Sequence, residues 1–149
     1  MNIFPKNSQA LAVALSQIFV SEATGTSNNP KILQYAIDCG FQHYKSDDIG
    51  WCSLFLNWVA KEIGSQGTSS LMARSWLAFG VKVTEPAVGD IAVLWRISPA
   101  ALTGHVGLFL NEVERNGKIY LRILGGNQGD QVKISEFPKE QLLQFRRWV

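Results

Sequence analysis

The sequence predicts an α+β domain in which N-terminal helices pack on a C-terminal antiparallel sheet. In the first half, apolar residues recur at helical spacing. In the second half, short runs rich in β-branched and aromatic residues replace this pattern. The pair Asn116-Gly117 separates two of these runs and is typical of a tight hairpin. With 149 residues and no internal repeat or linker, the chain is expected to form a single domain over residues 1–149.

Four helices are predicted in the first half of the chain. The first covers 8–22, where apolar residues repeat at helical spacing. The second starts at Pro30, a residue that fits the first turn of a helix, and stops at Gly40. The third begins near Cys52, and a short fourth lies within 68–80. The third is largely apolar all round and is therefore expected to be buried.

Four strands are predicted in the second half. They are GDIAVLWRI (89–97), GHVGLFLNEV (104–113), KIYLRILGGN (118–127) and QVKISEF (131–137). The Asn-Gly turn joins the second strand to the third, and the short segment QGD joins the third to the fourth. Strands joined by such short turns pair antiparallel, so these runs predict an antiparallel sheet.

Composition and charge exclude several classes of function. A net charge of +2 is too small to indicate nucleic-acid binding. Two cysteines do not make a disulfide framework, and no spacing demands that Cys39 and Cys52 pair. With only His43 and His105 as histidines, the chain has no signature of a structural zinc site. We therefore expect neither a metal nor another cofactor.

The N-terminal segment superficially resembles a signal peptide. However, Ser16 and Gln17 interrupt its apolar run, and the remaining apolar residues favour an amphipathic helix. No run reaches the roughly 18 apolar residues that a membrane span needs. We therefore expect synthesis in the cytoplasm without a clear signal peptide, and a target outside the cytoplasm would require separate delivery.

Cys52 is the candidate nucleophile. The thiolate is the reactive form of cysteine, and a helix N-terminus lowers the thiol pKa from its usual value of about 8.5. The preceding Asp47 and Asp48 oppose this effect if they point at the sulfur. Cys52 also continues the apolar face of the third helix, as an inert core residue would. This segment alone leaves both interpretations open.

His105 is the candidate general base. It opens a predicted strand, and the neighbouring Gly104 and Gly107 leave space around it. The hairpin predicts which residues lie beside it. If the Asn-Gly turn has two residues, Arg115 pairs with Lys118, and the pairing can be counted outward along both strands.

This count places Gln128 opposite His105, with Asn127 next to it. A regular ladder puts Gln128 on the face of His105, whereas a bulge at Gly125-Gly126 would shift the parity by one. An amide in this position would hold one imidazole nitrogen while the other faces a thiol. The sequence leaves the choice between the two amides open.

Five segments together resemble a known family. WCSLFLNWV, GTSSLMARSWLAFG, EPAVGDIAVLWR, GHVGLFL and LGGNQGDQVKISEFP are similar to segments of the CHAP-like and NlpC-like peptidoglycan hydrolases of the papain-like cysteine peptidase superfamily. The likeness extends from about Asn29 to the C-terminus. It implies a papain-like fold, a single catalytic domain, and hydrolysis of an amide bond in peptidoglycan.

The resemblance also implies a role for particular residues. Cys52 matches the nucleophile, His105 the base and Asn127 the residue that orients the base. Backbone N–H groups at the start of the helix, at Cys52 and Ser53, would bind the oxyanion. Many relatives carry a glutamate two residues before the asparagine, where this chain has Gly125. This difference leaves the orienting role to Asn127, alone or together with the neighbouring glutamine.

Several side chains are candidates for substrate contact, and each has a structural alternative. Trp51 and Trp76 either line a groove for glycan or stem peptide or belong to the core. Asp47 and Asp48 either receive the amino group of a diamino acid in the stem peptide or cap the third helix. Arg74 either binds a carboxylate of the stem peptide or forms a surface ion pair.

The leading hypothesis is a bacteriolytic cysteine hydrolase that acts on peptidoglycan, as an N-acetylmuramoyl-L-alanine amidase or as a stem or cross-bridge endopeptidase. The alternatives are a non-catalytic wall-binding module and a papain-like hydrolase or transferase that acts on an amide outside the wall. The enzyme is expected to act in the periplasm or cell wall. A holin would release it as a phage lysin, or a secretion system would inject it as an effector that is opposed by an immunity protein.

Overall fold

The computed structural model describes residues 5–24, 27–46 and 50–149, and it confirms the predicted α+β class. The α-helices in this part are α1 (Lys6–Leu15), α2 (Pro30–Cys39) and α3 (Cys52–Glu62). Two 3₁₀ helices cover Ala73–Ala78 and Lys139–Gln141. The strands are β1 (Val81–Val83), β2 (Ile91–Trp95), β3 (Gly104–Arg115), β4 (Lys118–Gln128), β5 (Gln131–Pro138) and β6 (Leu142–Arg147). None of the described helices has the length and apolar character of a membrane span.

The second and third helices form where the sequence predicts them. Asn29 caps α2 by accepting a hydrogen bond from the backbone N–H of Lys31, and Pro30 occupies the first helical position. The helix stops at Gly40, which is left-handed with φ of 76°. In α3, nine consecutive residues from Cys52 onward are buried. This helix therefore lies in the interior of the molecule, as expected.

The first and fourth helices differ from their predictions. The predicted helix over 8–22 stops at Leu15, because the following segment pairs with the start of β5 instead. The N–H of Phe19 donates to the carbonyl of Val132, and the N–H of Val132 donates to the carbonyl of Val20. The fourth element is a 3₁₀ helix confined to Ala73–Ala78. In both cases tertiary contacts override local helical pattern.

The strands form one antiparallel sheet in the order β1-β6-β2-β3-β4-β5. The hairpin prediction is confirmed, because Arg115 pairs with Lys118 across the Asn-Gly turn. The sequence did not predict β1 and β6. The second of these lies inside the sheet, between β1 and β2, and so completes it.

Each face of the sheet contributes to a separate apolar core. The larger core contains the helices together with sheet residues such as Val106 and Leu108. The smaller one includes Phe109, Ile123 and Phe145. Successive residues of a strand point to opposite faces, so β3 supplies both cores. Its N-terminal end, which carries His105, lies next to the start of the buried helix α3.

Candidate active site

Cys52 is the first residue of α3, and its position depends on the preceding tryptophan. The Trp51 side chain is completely buried, and its Nε1 donates to Oε1 of Glu22 over 2.9 Å. Its ring packs against Gly126 of β4 so closely that a Cβ there would lie 2.8 Å from the ring. This contact requires glycine at 126. It fixes the start of α3 against β4.

The Cys52 thiol is 9% exposed and faces a cleft. Burial raises its pKa, whereas the backbone N–H groups of Val106, Ser53 and Cys52 itself, and the charge of Arg96, lower it. The net effect is a raised pKa. The helix N-terminus thus acts in the expected direction, but the loss of solvent outweighs it. Cys52 is therefore a neutral thiol, and its sulfur lies next to the backbone N–H of Val106.

His105 is almost completely buried, and one of its ring nitrogens is held by a glutamine. Its Nε2 lies 2.9 Å from Oε1 of Gln128, and its ring stacks on Phe137 with centroids 5.0 Å apart. Nε2 of Gln128 donates to the backbone carbonyls of Ile123 (3.0 Å) and Lys133 (2.8 Å). Two acceptors therefore fix the orientation of this amide and turn its oxygen toward the imidazole.

This network also determines the tautomer of His105. Because an amide oxygen only accepts hydrogen bonds, Nε2 of the neutral ring carries the proton. Nδ1 then carries the lone pair, and it has no hydrogen-bond partner within the described residues. Burial lowers the pKa of His105 to about 4, with Gln128 opposing this effect and Arg96 adding to it. Near neutral pH His105 is thus an uncharged base with its basic nitrogen unoccupied.

Two irregularities in the sheet bring Gln128 to His105. In β3, Leu110 is an extra residue between the pairs Phe109–Ile123 and Asn111–Arg122. In β4, the pairing with β5 shifts between Gly125 and Gln128. A Cβ at Gly125 would lie 2.5 Å from Oε1 of Gln128, so the glycine makes room for this amide. The glutamine side chain occupies the space that a side chain at 125 would fill.

Asn127 lies in the wall of the cleft and does not contact the His105 ring. It adopts a left-handed conformation with φ of 57°, which asparagine tolerates better than most residues. It lines the same cleft as Cys52, and its Nδ2 lies 3.6 Å from where a Cβ on Gly50 would be. The contact with His105 that the family resemblance implied for Asn127 is made by Gln128, the residue that the strand count placed opposite His105.

The cleft in front of Cys52 has a volume of about 550 Å³. Four apolar side chains that line it are well exposed, namely Leu71, Met72, Ile97 and Leu102. Polar groups in its wall come from Arg96, Thr103 and Asn127. In the described residues, no group of three or more His, Cys, Asp or Glu side chains is arranged to hold a metal. The cleft therefore offers a thiol, an amide and a cation within an apolar rim.

Comparison with known proteins identifies the family. A family model described as CHAP domain matches residues 44–127, more than half of the chain. The chain belongs to the CHAP domain family. CHAP domains are generally cysteine hydrolases or amidases, and membership indicates a peptidoglycan-hydrolase-like activity. The matched range includes Cys52, His105 and Asn127, and it ends one residue before Gln128. The comparison with curated protein sequences found no match.

In this CHAP domain the two tryptophans proposed for substrate contact have structural positions. Trp51 and Trp76 are both completely buried and do not line the cleft. Nε1 of Trp76 donates to Oγ of Ser53, which in turn donates to the carbonyl of Ser70. The structure thus places both side chains in the core, which is the structural alternative that the sequence left open for them. Trp76 supports the segment that carries Leu71 and Met72 to the cleft.

Of the charged candidates, only Arg74 lies within the described residues. The Arg74 guanidinium donates to the carbonyls of Ser98, Pro99 and Thr103, so it supports the loop beside the cleft. The expectation of a carboxylate bound there is thus replaced by three backbone acceptors. Asp47 and Asp48 lie outside the described residues. The cation that does line the cleft is Arg96, which the sequence analysis did not single out.

Arg96 was missed because its position depends on the register between β2 and β3. It directly follows β2, whose residue Leu94 pairs with His105 and whose Trp95 pairs with Gly104. A count along β2 and β3 would therefore have placed Arg96 beside the start of β3. The two strands are joined by an eight-residue loop, and such a loop does not fix the register from sequence alone.

Proposed function

We propose that this CHAP domain hydrolyses an amide bond of bacterial peptidoglycan, with Cys52 as the nucleophile and His105 as the base. The observation that carries the proposal is the arrangement of His105: Gln128 holds its Nε2, and its buried Nδ1 makes no hydrogen bond to a described residue. The sulfur of Cys52 accepts from the backbone N–H of Val106, the residue after His105, and it makes no hydrogen bond with Nδ1 of His105 in this structure. The proposal requires that the two groups meet when the substrate binds. A nucleophile, a base and an orienting group are the three parts of such a catalytic set.

The first step forms a thioester. As the sulfur of Cys52 attacks the amide carbonyl carbon, its proton passes to Nδ1 of His105 and the carbonyl π electrons move to oxygen. Backbone N–H groups of Cys52 and Ser53 bind this oxyanion. When the intermediate collapses, the C–N bond breaks and the amine leaves with the proton from Nδ1. Cys52 then carries the acyl group.

The second step releases the acid. Water attacks the thioester carbonyl while His105 takes its proton, the C–S bond breaks, and the sulfur recovers that proton. Gln128 keeps the ring oriented through both steps, because its oxygen accepts from Nε2 whether the ring is neutral or charged. Asn127, in the cleft wall, donates to the bound substrate. In this proposal Gln128 orients the imidazole of His105, and Asn127 contacts the substrate.

Two cleavage types fit this chemistry, an N-acetylmuramoyl-L-alanine amidase and an endopeptidase of the stem or cross-bridge. We propose that residues 1–149 act as one catalytic domain in the periplasm or cell wall after delivery from the cytoplasm. A holin, or a secretion system with a cognate immunity protein, would then be its partner. Neither nucleic acid nor a membrane takes part in the reaction.

The test is to incubate the purified protein with sacculi and with defined muropeptides, and to weigh the products by mass spectrometry. A new amine and a new acid at one amide bond identify the bond and support hydrolysis. Cys52→Ala, checked for folding by circular dichroism, should release nothing. Cleavage of a protein amide with intact sacculi would favour the non-wall hydrolase. Binding to sacculi without cleavage would favour the wall-binding module.

A further inference from the structure

Arg96 differs from the other arginines whose contacts are described. Arg74 donates to three backbone carbonyls, and Arg147 forms a two-nitrogen contact with the buried Asp90. Arg115 and Arg122 both pair with Glu136. Within the described ranges, neither a hydrogen bond nor an ion pair engages the Arg96 guanidinium. This exposed cation lines the cleft of the nucleophile.

The backbone beneath Arg96 is held in place. Its carbonyl accepts from the N–H of Ser98 (2.7 Å) and from Oγ1 of Thr103 (3.1 Å). Arg74 fastens the same loop through its contacts with the carbonyls of Ser98, Pro99 and Thr103. Arg74 therefore stabilises the loop that begins with Arg96. A fixed backbone reduces the conformational entropy that the Arg96 side chain loses when it binds a ligand.

The surroundings favour an anionic ligand. Leu71, Met72, Ile97 and Leu102 form the apolar rim, and no acidic residue is among the described residues that line the cleft. Because Arg96 is exposed, its charge attracts a carboxylate only weakly through solvent, and the contact depends on the geometry of the guanidinium. Its planar fork of donors also matches both oxygens of a carboxylate.

We propose that Arg96 binds a free carboxylate of the substrate next to the scissile amide. This inference rests on the proposed function and specifies its substrate class: peptides with an ionised carboxyl group beside the cleaved bond. Peptides in which that carboxyl is converted to a primary amide are then poor substrates. A primary amide carries no charge. Its NH₂ group is a hydrogen-bond donor, as is the guanidinium, so the two cannot form a hydrogen bond.

The position of Arg96 determines which kinetic constant should change. Its charge lowers the pKa of both Cys52 and His105, so it stabilises the thiolate and destabilises the imidazolium. Removing the charge shifts both groups in the same direction, and the proton-transfer balance between them changes little. The loss of Arg96 should therefore appear in KM much more than in kcat.

The experiment compares two kinds of substrate and three proteins. The substrates are a stem peptide with free carboxyl groups and a set of the same peptide amidated at one carboxyl at a time. The proteins are the wild type, Arg96→Gln, and Arg122→Gln as a control that removes a half-buried cation outside the cleft. We expect the wild type to prefer the free acid by about 10- to 100-fold in kcat/KM for one of the carboxyls. Arg96→Gln should lose this preference through KM, and Arg122→Gln should keep it.

Equal cleavage of all the peptides by the wild type, or an undiminished preference in Arg96→Gln, overturns the Arg96 proposal and leaves the hydrolase function intact. If the wild type cleaves nothing, the hydrolase proposal fails, and the same question is then answered by calorimetry. In that case the free acid should bind the Cys52→Ala protein at least about tenfold more tightly than the amidated peptide. The Arg96→Gln substitution should abolish the difference, and its persistence would contradict the role of Arg96.

Discussion

The two cysteines of the chain lie at opposite ends of helices, and their neighbours differ accordingly. Cys39 ends α2, where burial raises its pKa to about 11, Lys61 opposes this rise, and Asp38 and Glu62 add to it. Cys52 begins α3, where burial again raises the pKa but every other contribution lowers it. Both thiols are free. Cys39 is half-buried and Cys52 is buried, so exposure alone would make Cys39 the more reactive thiol. Cys52 instead has more groups that assist its ionisation.

The largest expected effect separates these two thiols by substitution. Cys52→Ala should reduce amide hydrolysis by at least about 10⁴-fold, because no other thiol is among the described residues that line the cleft. Cys39→Ala should leave the rate within about twofold of the wild type. Release of soluble fragments from purified sacculi measures both. Comparable losses in the two variants would show that the two thiols do not differ in catalytic role.

The next effect concerns the amide that orients the base. Gln128→Leu removes the acceptor for Nε2 of His105 while keeping a side chain of similar size, and it should lower kcat by about 100-fold with little change in KM. Asn127→Ala should act mainly on KM, because that amide lies in the cleft wall. The KM and kcat of both variants on one muropeptide measure this. A larger fall in kcat for Asn127→Ala would return the orienting role to Asn127.

The region around Cys52 should also dominate acid sensitivity. The unfolded chain binds a proton at His105 below about pH 6.5, whereas the folded protein does so only below about pH 4. Since the unfolded state binds more protons between these values, stability should fall as the pH drops through this window, by at most about 3 kcal/mol. It should not change from this cause above pH 6.5.

Urea unfolding at pH 7, 6, 5 and 4 measures this slope. In His105→Gln, which keeps a donor for Gln128, the slope between pH 6.5 and 4 should become shallower by that amount. An identical slope in the wild type and in His105→Gln would show that His105 is protonated equally in both states. Its role as a buried neutral base would then be wrong.

The smallest expected effect is in alkylation. Near neutral pH iodoacetamide should modify Cys52 several-fold faster than Cys39, because His105 can accept the thiol proton as the sulfur reacts. Peptide mapping by mass spectrometry follows each site separately. The excess rate at Cys52 should vanish in His105→Gln. Equally slow labelling of both thiols in the wild type would count against assistance by the imidazole.

Local sequence signals predicted the parts of the fold that depend on local chemistry. Pro30 and Gly40 mark the ends of α2, and the Asn-Gly pair sets the register of Arg115 with Lys118. The sequence did not predict β6, because its pairing partners in β1 and β2 are distant along the chain. A strand whose stability comes from non-local pairing has little signal of its own.

The candidate site shows the same division. Cys52 at a helix start and His105 at a strand start were found from the sequence. The choice of Gln128 over Asn127 was not, because it depends on an extra residue in β3 and on a shift in the pairing of β4 with β5. The sequence suggested a bulge near Gly125 but could not show both irregularities. Trp51 and Trp76 are buried only once the core has assembled. The sequence therefore could not show whether their side chains lie in the core or line a groove.

The measurement that tests the central claim most directly is covalent trapping. A stem-peptide analogue that carries a vinyl sulfone at the bond cleaved by the wild type accepts a thiol by addition, and mass spectrometry locates the adduct. We predict one adduct per molecule, on Cys52 and not on Cys39, and its loss in Cys52→Ala and His105→Gln. Cleavage of the parent amide by a protein that the analogue leaves unmodified, or that it modifies at Cys39, would contradict nucleophilic catalysis by Cys52.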